Sequence, residues 1–286
     1  MTATLINGKQ IATQLRSELA EQVTELVSKG VQPSLAVILV GDDPASHSYV
    51  RGKEKACEKA GILSIVKRHP SSLKEDELLA EIDTLNEDSS VHGILVQMPL
   101  PDHISENAVL ERIAVDKDVD GFHPVNAGRL ITGKDSFKPC TPLGIMKMLE
   151  FSGVEPKGKH AVVVGRSHLV GKPVGQLLLN QDATVTYCHS KTNDLASITR
   201  QADILIAAVG RVNMIGVEHV KPGAAVIDVG INRLDNGKLS GDVQFDEVQE
   251  RAGWITPVPG GVGPMTITML LYNTVAAARG KMSNES

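Results

Sequence analysis

Ser46, Tyr49 and Lys53 stand at i, i+3 and i+7, so a helix over this stretch carries a hydroxyl, a phenol and an amine along one face. A Tyr-x-x-x-Lys pair is common on exposed helices, where the lysine only lays its apolar stem along the surface. Position supplies the second reading. The helix follows directly on a short apolar run, and crevices at the carboxyl ends of parallel strands are where ligands bind in open α/β sheets. An amine desolvated there has its pKa drawn toward neutrality and becomes a usable acid or base. Gln97 interrupts the apolar run of residues 93–98, just before Pro99 and Pro101. A buried amide needs partners, either a neighbouring loop or the lysine ammonium or a ligand at the same strand end. Asp120 lies in Asp116-Lys117-Asp118-Val119-Asp120-Gly121-Phe122-His123-Pro124. Acidic loops are usually solvated, but a carboxylate between an apolar residue and a glycine also suits the donors of an amino-pyrimidine-type heterocycle. His123 has no companion at metal-ligand spacing and reads as structural; no metal is expected.

A second set of residues suits a nucleotide. Residues 160–164 form an apolar run that stops at Gly165 and continues as Arg166-Ser167-His168-Leu169-Val170-Gly171. A strand that ends at a glycine and turns into a helix aims backbone N–H groups and the positive helix end at a pyrophosphate. Ser167 stands where G-x-G-x-x-G has its second glycine, so the segment alone reads equally as a plain strand-to-helix turn. The next strand ends Tyr187-Cys188-His189-Ser190-Lys191-Thr192, with hydroxyl and cationic groups where an NAD site places an acid for the ribose hydroxyls. The plain alternative is a solvated polar loop; with the Gly165 turn and Arg166 beside it, NADP is favoured. Residues 257–266 run Pro-Val-Pro-Gly-Gly-Val-Gly-Pro-Met-Thr and are expected as a loop, neither helix nor central strand. Its glycines let backbone approach a flat ligand, whereas a linker into the last helix accounts only for the prolines.

The elements that must position these groups alternate. Leu15, Leu19, Val23 and Leu26 mark an amphipathic helix over 12–27, closed by Gly30. A strand at 35–40 enters a helix capped by Asp43, with Pro44 at its first position and Gly61 beyond its end. A strand at 64–69, a helix at 74–86 and a strand at 93–98 complete a parallel sheet with helices on its faces. Residues 116–138 break the rhythm and are expected as a hinge, followed by a helix from Thr141 to about Phe151. Strands at 161–164, 184–187, 204–209, 224–229 and 254–256 predict a second parallel sheet, and a final helix over 266–279 is expected to pack back on the first domain. The fold class is therefore α/β with two domains: residues 1–139 plus 267–286 as the substrate domain, and 140–266 as a Rossmann-like NADP-binding domain.

Composition bounds the partners. The 286 residues are 42% hydrophobic and 22% charged with a net charge of −5, enough apolar mass for a core and no basic stripe for nucleic acid. Apolar runs are strand-sized and residues 1–7 lack a charged start followed by a long apolar stretch, so neither export nor a membrane span is expected. Cys57, Cys140 and Cys188 are few, odd in number and far apart, which fits a reducing cytoplasm.

Several motifs in order resemble the bifunctional methylenetetrahydrofolate dehydrogenase/cyclohydrolase family of the bacterial FolD type, over essentially the whole chain. They are Tyr49-Val50-x-x-Lys53, Val91-His92-Gly93-Ile94-Leu95-Val96-Gln97-Met98-Pro99-Leu100-Pro101, Asp116-Lys117-Asp118-Val119-Asp120-Gly121, Pro139-Cys140-Thr141-Pro142, Val164-Gly165-Arg166-Ser167 and the stretch from Pro257 to Thr266. The resemblance implies NADP-dependent oxidation of 5,10-methylenetetrahydrofolate to the methenyl form and hydrolysis to 10-formyltetrahydrofolate, within one-carbon metabolism. It makes Lys53 the catalytic lysine of hydrolysis, Tyr49 a pterin-site residue, Gln97 the group that holds Lys53, and Asp120 the anchor of the pterin. Gly165, Arg166, Ser167, Ser190 and Ile231 would contact NADP, and Pro259, Gly260 and Gly261 the folate. A cleft between the domains and a homodimer formed through the cofactor domains are also implied. Two other readings compete: another NADP dehydrogenase, acting on a shikimate-like hydroxy acid, shares the cofactor half but not Gln97 or the Pro259 loop. A non-catalytic nucleotide-binding protein keeps Gly165 but has no reason to align Tyr49 with Lys53.

Overall fold

The computed structural model describes residues 2–284, with side chains through residue 280. The chain opens with β1 (Thr4–Leu5) and α1 (Gly8–Ser28), then alternates through β2 (Ser34–Val40), α2 (Pro44–Ala60), β3 (Leu63–His69), α3 (Glu75–Glu87) and β4 (Gly93–Val96). Helices α4 (Glu106–Arg112), α5 (Pro124–Ile131) and α6 (Cys140–Phe151) follow. Alternation resumes with β5 (His160–Val164), α7 (Gly171–Leu179), β6 (Thr184–Cys188), α8 (Leu195–Thr199), β7 (Ile204–Ala207) and β8 (Ala225–Asp228). The small pair β9 (Asn232–Arg233) and β10 (Leu239–Ser240), then α9 (Phe245–Val248), β11 (Trp254–Ile255) and α10 (Val262–Asn284), complete the chain. The described residues form two compact units: residues 14–140 with 267–284, and residues 2–13 with 141–266.

The first unit holds a three-stranded parallel sheet in the order β3-β2-β4. Ala36, Ile38 and Val40 of β2 pack with Leu78, Ile82 and Leu85 of α3 and with Val109 of α4. The alternate residues Leu35, Val37 and Leu39 are equally buried, which is why the run shows no polar alternation. Burial of each such aliphatic side chain contributes roughly 1.5–3 kcal/mol. The start of α2 is set as its sequence predicts: the Asp43 carboxylate accepts from Ser46 N at 2.7 Å, and Gly61 ends the helix at φ 74°.

Residues 116–138, expected as a hinge, are instead built into this unit. Asp118 forms a parallel bridge with Ile94, and its carboxylate accepts from Phe122 N, His123 N and Asn126 Nδ2 at 3.1, 2.8 and 2.8 Å. His123 Nδ1 then caps α5 by accepting from Val125 N at 3.0 Å, with Pro124 at the helix start. The scattered Asp, His and Pro residues serve as capping chemistry. Helix α4, capped by Ser105, is likewise absent from the sequence expectation.

The second unit carries a six-stranded sheet, parallel throughout, in the order β1-β11-β8-β7-β5-β6. Val162, Val164, Leu205, Ala207, Val226 and Ile255 line one core face at the strand period of two. The chain leaves β5 for β6 on one side and returns to β7 on the other, so the order reverses at β5. Residues 1–13, expected with the substrate domain, belong here. β1 is the edge strand on β11, with Thr4 opposite Trp254, and Ile6 N donates to Ile255 O at 2.8 Å. Two residues are too short a run for periodicity to show their partner. The last helix starts at Val262, four residues before its expected start, so the loop is confined to residues 257–261. Gly263 and Pro264 fall in the first helical turn, where proline's missing N–H has no intrahelical acceptor to lose.

Candidate active site

The end of α2's exposed face and the end of β4 bring two of the singled-out side chains together. Lys53 Nζ donates to Gln97 Oε1 at 2.9 Å. Gln97 Nε2 donates to Met98 O at 2.7 Å, which turns the amide oxygen toward the lysine. Gln97, expected within its strand, lies just past it: the strand ends at Val96, and Gln97 N continues the ladder by donating to Ile38 O at 2.8 Å. The side chain is thereby fixed at a carboxyl strand end. Tyr49, one turn before Lys53 on α2, leaves 47% of its surface exposed. Ser46 is buried at the helix start and tied to the Asp43 cap.

Asp120 acts on Lys53 electrostatically. Burial draws the Lys53 ammonium below the ordinary lysine range, and the Asp120 charge opposes that shift. Burial raises Asp120 in turn, against the pull of Lys53 and of the adjoining Cys140 thiol. The result is an amine that gives up its proton more readily than a solvated lysine, beside a carboxylate whose own ionisation burial disfavours.

Residues outside the sequence-based set hold Asp120 in place. The Asn273 side chain donates to Val119 O at 2.8 Å and to Lys138 O at 3.1 Å, joining the stretch that carries Asp120 to the stretch that leads to Cys140. The Cys140 thiol donates to Val119 O at 3.4 Å, and burial pushes it well above the ordinary thiol range, so it is a neutral packing group. Asp118 fixes the residues on the other side of Asp120. The one sequence signal for Asn273 is a polar residue within the apolar run Met269-Leu270-Leu271-Tyr272-Asn273-Thr274-Val275.

In the other unit, Gly165, Arg166, Ser167 and Ser190 gather at the carboxyl ends of β5 and β6, where Gly165 N donates to Cys188 O at 2.9 Å. Gly165 has φ +132°, and a Cβ there would run into Ala208 O, so glycine is required by both conformation and space. Ser167 replaces a fingerprint glycine with a cap: its Oγ accepts from Val170 N and Gly171 N, both at 3.2 Å, at the start of α7. Arg166 is exposed beside them. After β6, His189 N donates to Thr192 Oγ1 at 2.8 Å and Lys191 N to His189 Nδ1 at 3.2 Å; this tight turn leaves Ser190 and Lys191 exposed. Ile231 follows β8, with 47% of its surface exposed. These loops share one end of a parallel sheet, and the first two flank β5, where the strand order reverses.

Pro259, Gly260 and Gly261 follow β11 at that same sheet end. Packing accounts for glycine at two of these positions, contrary to the reading that only a ligand explains them. Gly260 has φ +106° and its carbonyl accepts from Lys9 N at 2.9 Å, while a Cβ on Gly261 would meet Pro257 O at 2.5 Å. Among the described residues no group of three His, Cys, Asp or Glu could hold a metal ion, and no helix is long and apolar enough to cross a membrane.

The family model for the tetrahydrofolate dehydrogenase/cyclohydrolase catalytic domain matches residues 6–120, and that for the family's NAD(P)-binding domain matches residues 139–282. The bifunctional protein FolD of Geobacillus thermodenitrificans is 63% identical over 279 residues, 98% of each chain. The structure of the bifunctional methylenetetrahydrofolate dehydrogenase/cyclohydrolase FolD of Campylobacter jejuni is 54% identical, with 98% of this chain and 99% of that one covered at a TM-score of 0.96. A Trypanosoma brucei methylenetetrahydrofolate dehydrogenase-cyclohydrolase, solved with NADP and an inhibitor, is 41% identical with 99% of both chains covered at a TM-score of 0.94. The chain belongs to the tetrahydrofolate dehydrogenase/cyclohydrolase family.

Proposed function

We infer that this chain oxidises 5,10-methylenetetrahydrofolate with NADP and hydrolyses the resulting methenyl compound to 10-formyltetrahydrofolate. The observation that carries this reading is the Lys53–Gln97 hydrogen bond at a strand end, with the Lys53 pKa lowered by burial beside the Asp120 charge. A non-catalytic nucleotide binder has no use for such an amine, and family membership disfavours both this reading and that of a shikimate-type dehydrogenase.

The glycine-loop residues fit NADP. Gly165 removes the side chain where backbone must approach a pyrophosphate, and the positive end of α7 lies just beyond the same turn. Arg166, Ser190 and Lys191 supply cationic and hydroxyl groups for a 2′-phosphate, with no carboxylate at 189–192 to repel it. Bound there, NADP supplies a two-electron acceptor for the hydride of the folate methylene carbon. Oxidation then depends mainly on orientation and exclusion of water, since the adjacent folate nitrogen provides the electron push.

Hydrolysis needs more from the protein. Water adds to the methenyl carbon and loses both of its protons as the formyl C=O forms, a carbon–nitrogen bond of the ring breaks, and the departing nitrogen takes up one of those protons; one proton is released overall. Lys53 carries that proton, as its depressed pKa permits. Gln97 holds the amine in place, Tyr49 lines the pterin site, and Asp120 accepts from the pterin's amino and ring N–H groups. Pro259, Gly260 and Gly261 border the folate. Residues 14–140 with the last helix from Ile267 serve as the folate-binding catalytic domain, and 141–266 together with the N-terminal residues through Thr13 as the NADP domain. A homodimer in the cytoplasm, with tetrahydrofolate derivatives as its partners and no nucleic acid or membrane, completes the proposal, and its product supplies purine, methionine and histidine biosynthesis.

The test is an absorbance assay with 5,10-methylenetetrahydrofolate and either NADP or NAD. NADPH and 10-formyltetrahydrofolate should form together, with NADP strongly preferred. Absence of any methenyl or formyl product overturns the reading.

A further inference from the structure

Asp242, fully buried, lies outside every residue set discussed so far. Its carboxylate accepts from three successive backbone donors after β7, Val209 N, Gly210 N and Arg211 N, at 2.7, 3.0 and 2.9 Å. It also accepts from Asn232 Nδ2, after β8, at 2.9 Å. One buried charge thus ties together two loops that leave neighbouring strands at the sheet's carboxyl end. Ile231 sits directly before Asn232 in the second of them. Ala208, against which Gly165 is packed, directly precedes the first.

A second carboxylate supports the first. Asp228, at the end of β8, accepts from Gly230 N, Asp242 N and Val243 N, each at 2.9 Å. It therefore fixes the backbone on which the Asp242 side chain is mounted. The sequence between them leaves no slack: a Cβ at Gly230 would overlap the Asp242 carboxylate, and one at Gly241 would overlap that of Asp228. Four donors around one buried carboxylate are costly to arrange for fold alone. A buried charge contributes little net stability compared with an apolar filler, but removing it strands the donors it held. Such a network fixes a conformation, and the conformation fixed here is that of two loops at the cofactor end of the sheet.

We propose that Asp242 is a positioning residue for NADP, holding the 209–211 and 230–232 loops in their cofactor-binding conformation. The inference rests on the NADP reading above. Asp242→Asn keeps the size but sets an amide N–H against backbone N–H groups. Its dissociation constant for NADP should rise at least tenfold, with kcat at saturating NADP falling less than threefold. Hydrolysis of added methenyltetrahydrofolate, assayed without NADP, should stay within twofold of wild type. Gly230→Ala, which crowds the same carboxylate, should weaken NADP binding in the same direction, and Asn232→Leu, which removes one donor, should do so by a few-fold. The Asn232 variant is decisive if Asp242→Asn does not fold. Unchanged NADP affinity in the variants that fold, or parallel loss of both activities, overturns the proposal. Wild-type protein that binds no NADP at all instead removes the reading beneath it.

Discussion

The Lys53 cluster and the Gly165 turn solve different physical problems. Lys53, Gln97 and Asp120 come from α2, the end of β4 and the stretch after α4, and their chemistry depends on charges being withdrawn from water. Gly165, Arg166 and Ser167 are consecutive, and their neighbour Ser190 follows the next strand; their side chains stay exposed or half-exposed. Proton transfer needs a tuned pKa, which only desolvation and specific neighbours provide. Holding a polyanion needs backbone donors and solvated cations, which one strand-turn-helix unit provides. Each region nevertheless rests on a buried carboxylate that gathers backbone N–H groups: Asp118 beside the first, Asp228 and Asp242 behind the second.

The largest expected effect separates the regions by reaction. Lys53→Met keeps the apolar stem and removes the amine, so hydrolysis should fall by ~10²–10⁴-fold while NADP-dependent oxidation survives at least in part. The methenyl compound should then accumulate and be visible by its near-ultraviolet absorbance. Wild-type hydrolysis of added methenyltetrahydrofolate by this variant would dissolve the distinction. The converse change is Arg166→Ala. Loss of a charge-assisted phosphate contact of ~1.5–3 kcal/mol should raise KM for NADP roughly 10- to 100-fold and leave NAD-supported turnover and hydrolysis nearly unchanged. Equal loss with NADP and NAD would show that Arg166 does not read the 2′-phosphate.

A smaller effect tests whether Asp120 depends on its support. Asn273→Leu leaves Val119 O and Lys138 O without their donor, at a cost of ~1–3 kcal/mol in a denaturant unfolding curve. Hydrolysis should weaken with a shifted pH profile, while affinity for NADP stays constant. An unchanged profile would reduce Asn273 to packing.

The smallest effect concerns Asp118, whose pKa burial pushes up to about 6 from 3.8. Its folded form binds a proton between about pH 4 and 6 that the unfolded chain has released. Its ionisation therefore costs stability as pH rises through that window, and the cost is absent below it. Asp228, also raised to about 6 by burial, adds a contribution of the same sign. Relative to Asp118→Asn, wild type should gain stability in urea unfolding as pH falls from about 6 to about 4. A difference independent of pH would show that Asp118 stays ionised throughout.

The sequence by itself determined what is encoded locally. Strand runs such as 35–40 and 161–164 are legible because strands buried on both faces become continuous apolar runs. The Asp43, Pro44 and Gly61 boundaries of α2, and the glycine turn after β5, follow from the backbone preferences of single residues. Gln97 stands out as a polar residue ending an apolar run, Lys53 by its place on a helix that follows a strand end, and Asp120 by its place between an apolar residue and a glycine. Which partner each takes was decided only by tertiary structure, since Gln97 could have bonded a loop as well as Lys53, and Asp120 could have been solvated. The first thirteen residues joined the six-stranded sheet through a strand too short to show a period, and the supposed hinge became a packed turn because Asp118 found its donors at residues 122, 123 and 126. Asn273 and Asp242 act on segments more than thirty residues away, or in Asn273's case more than one hundred and thirty. Local preference carries no record of such a distance, and the free energy of these contacts exists only once the chain has closed around them.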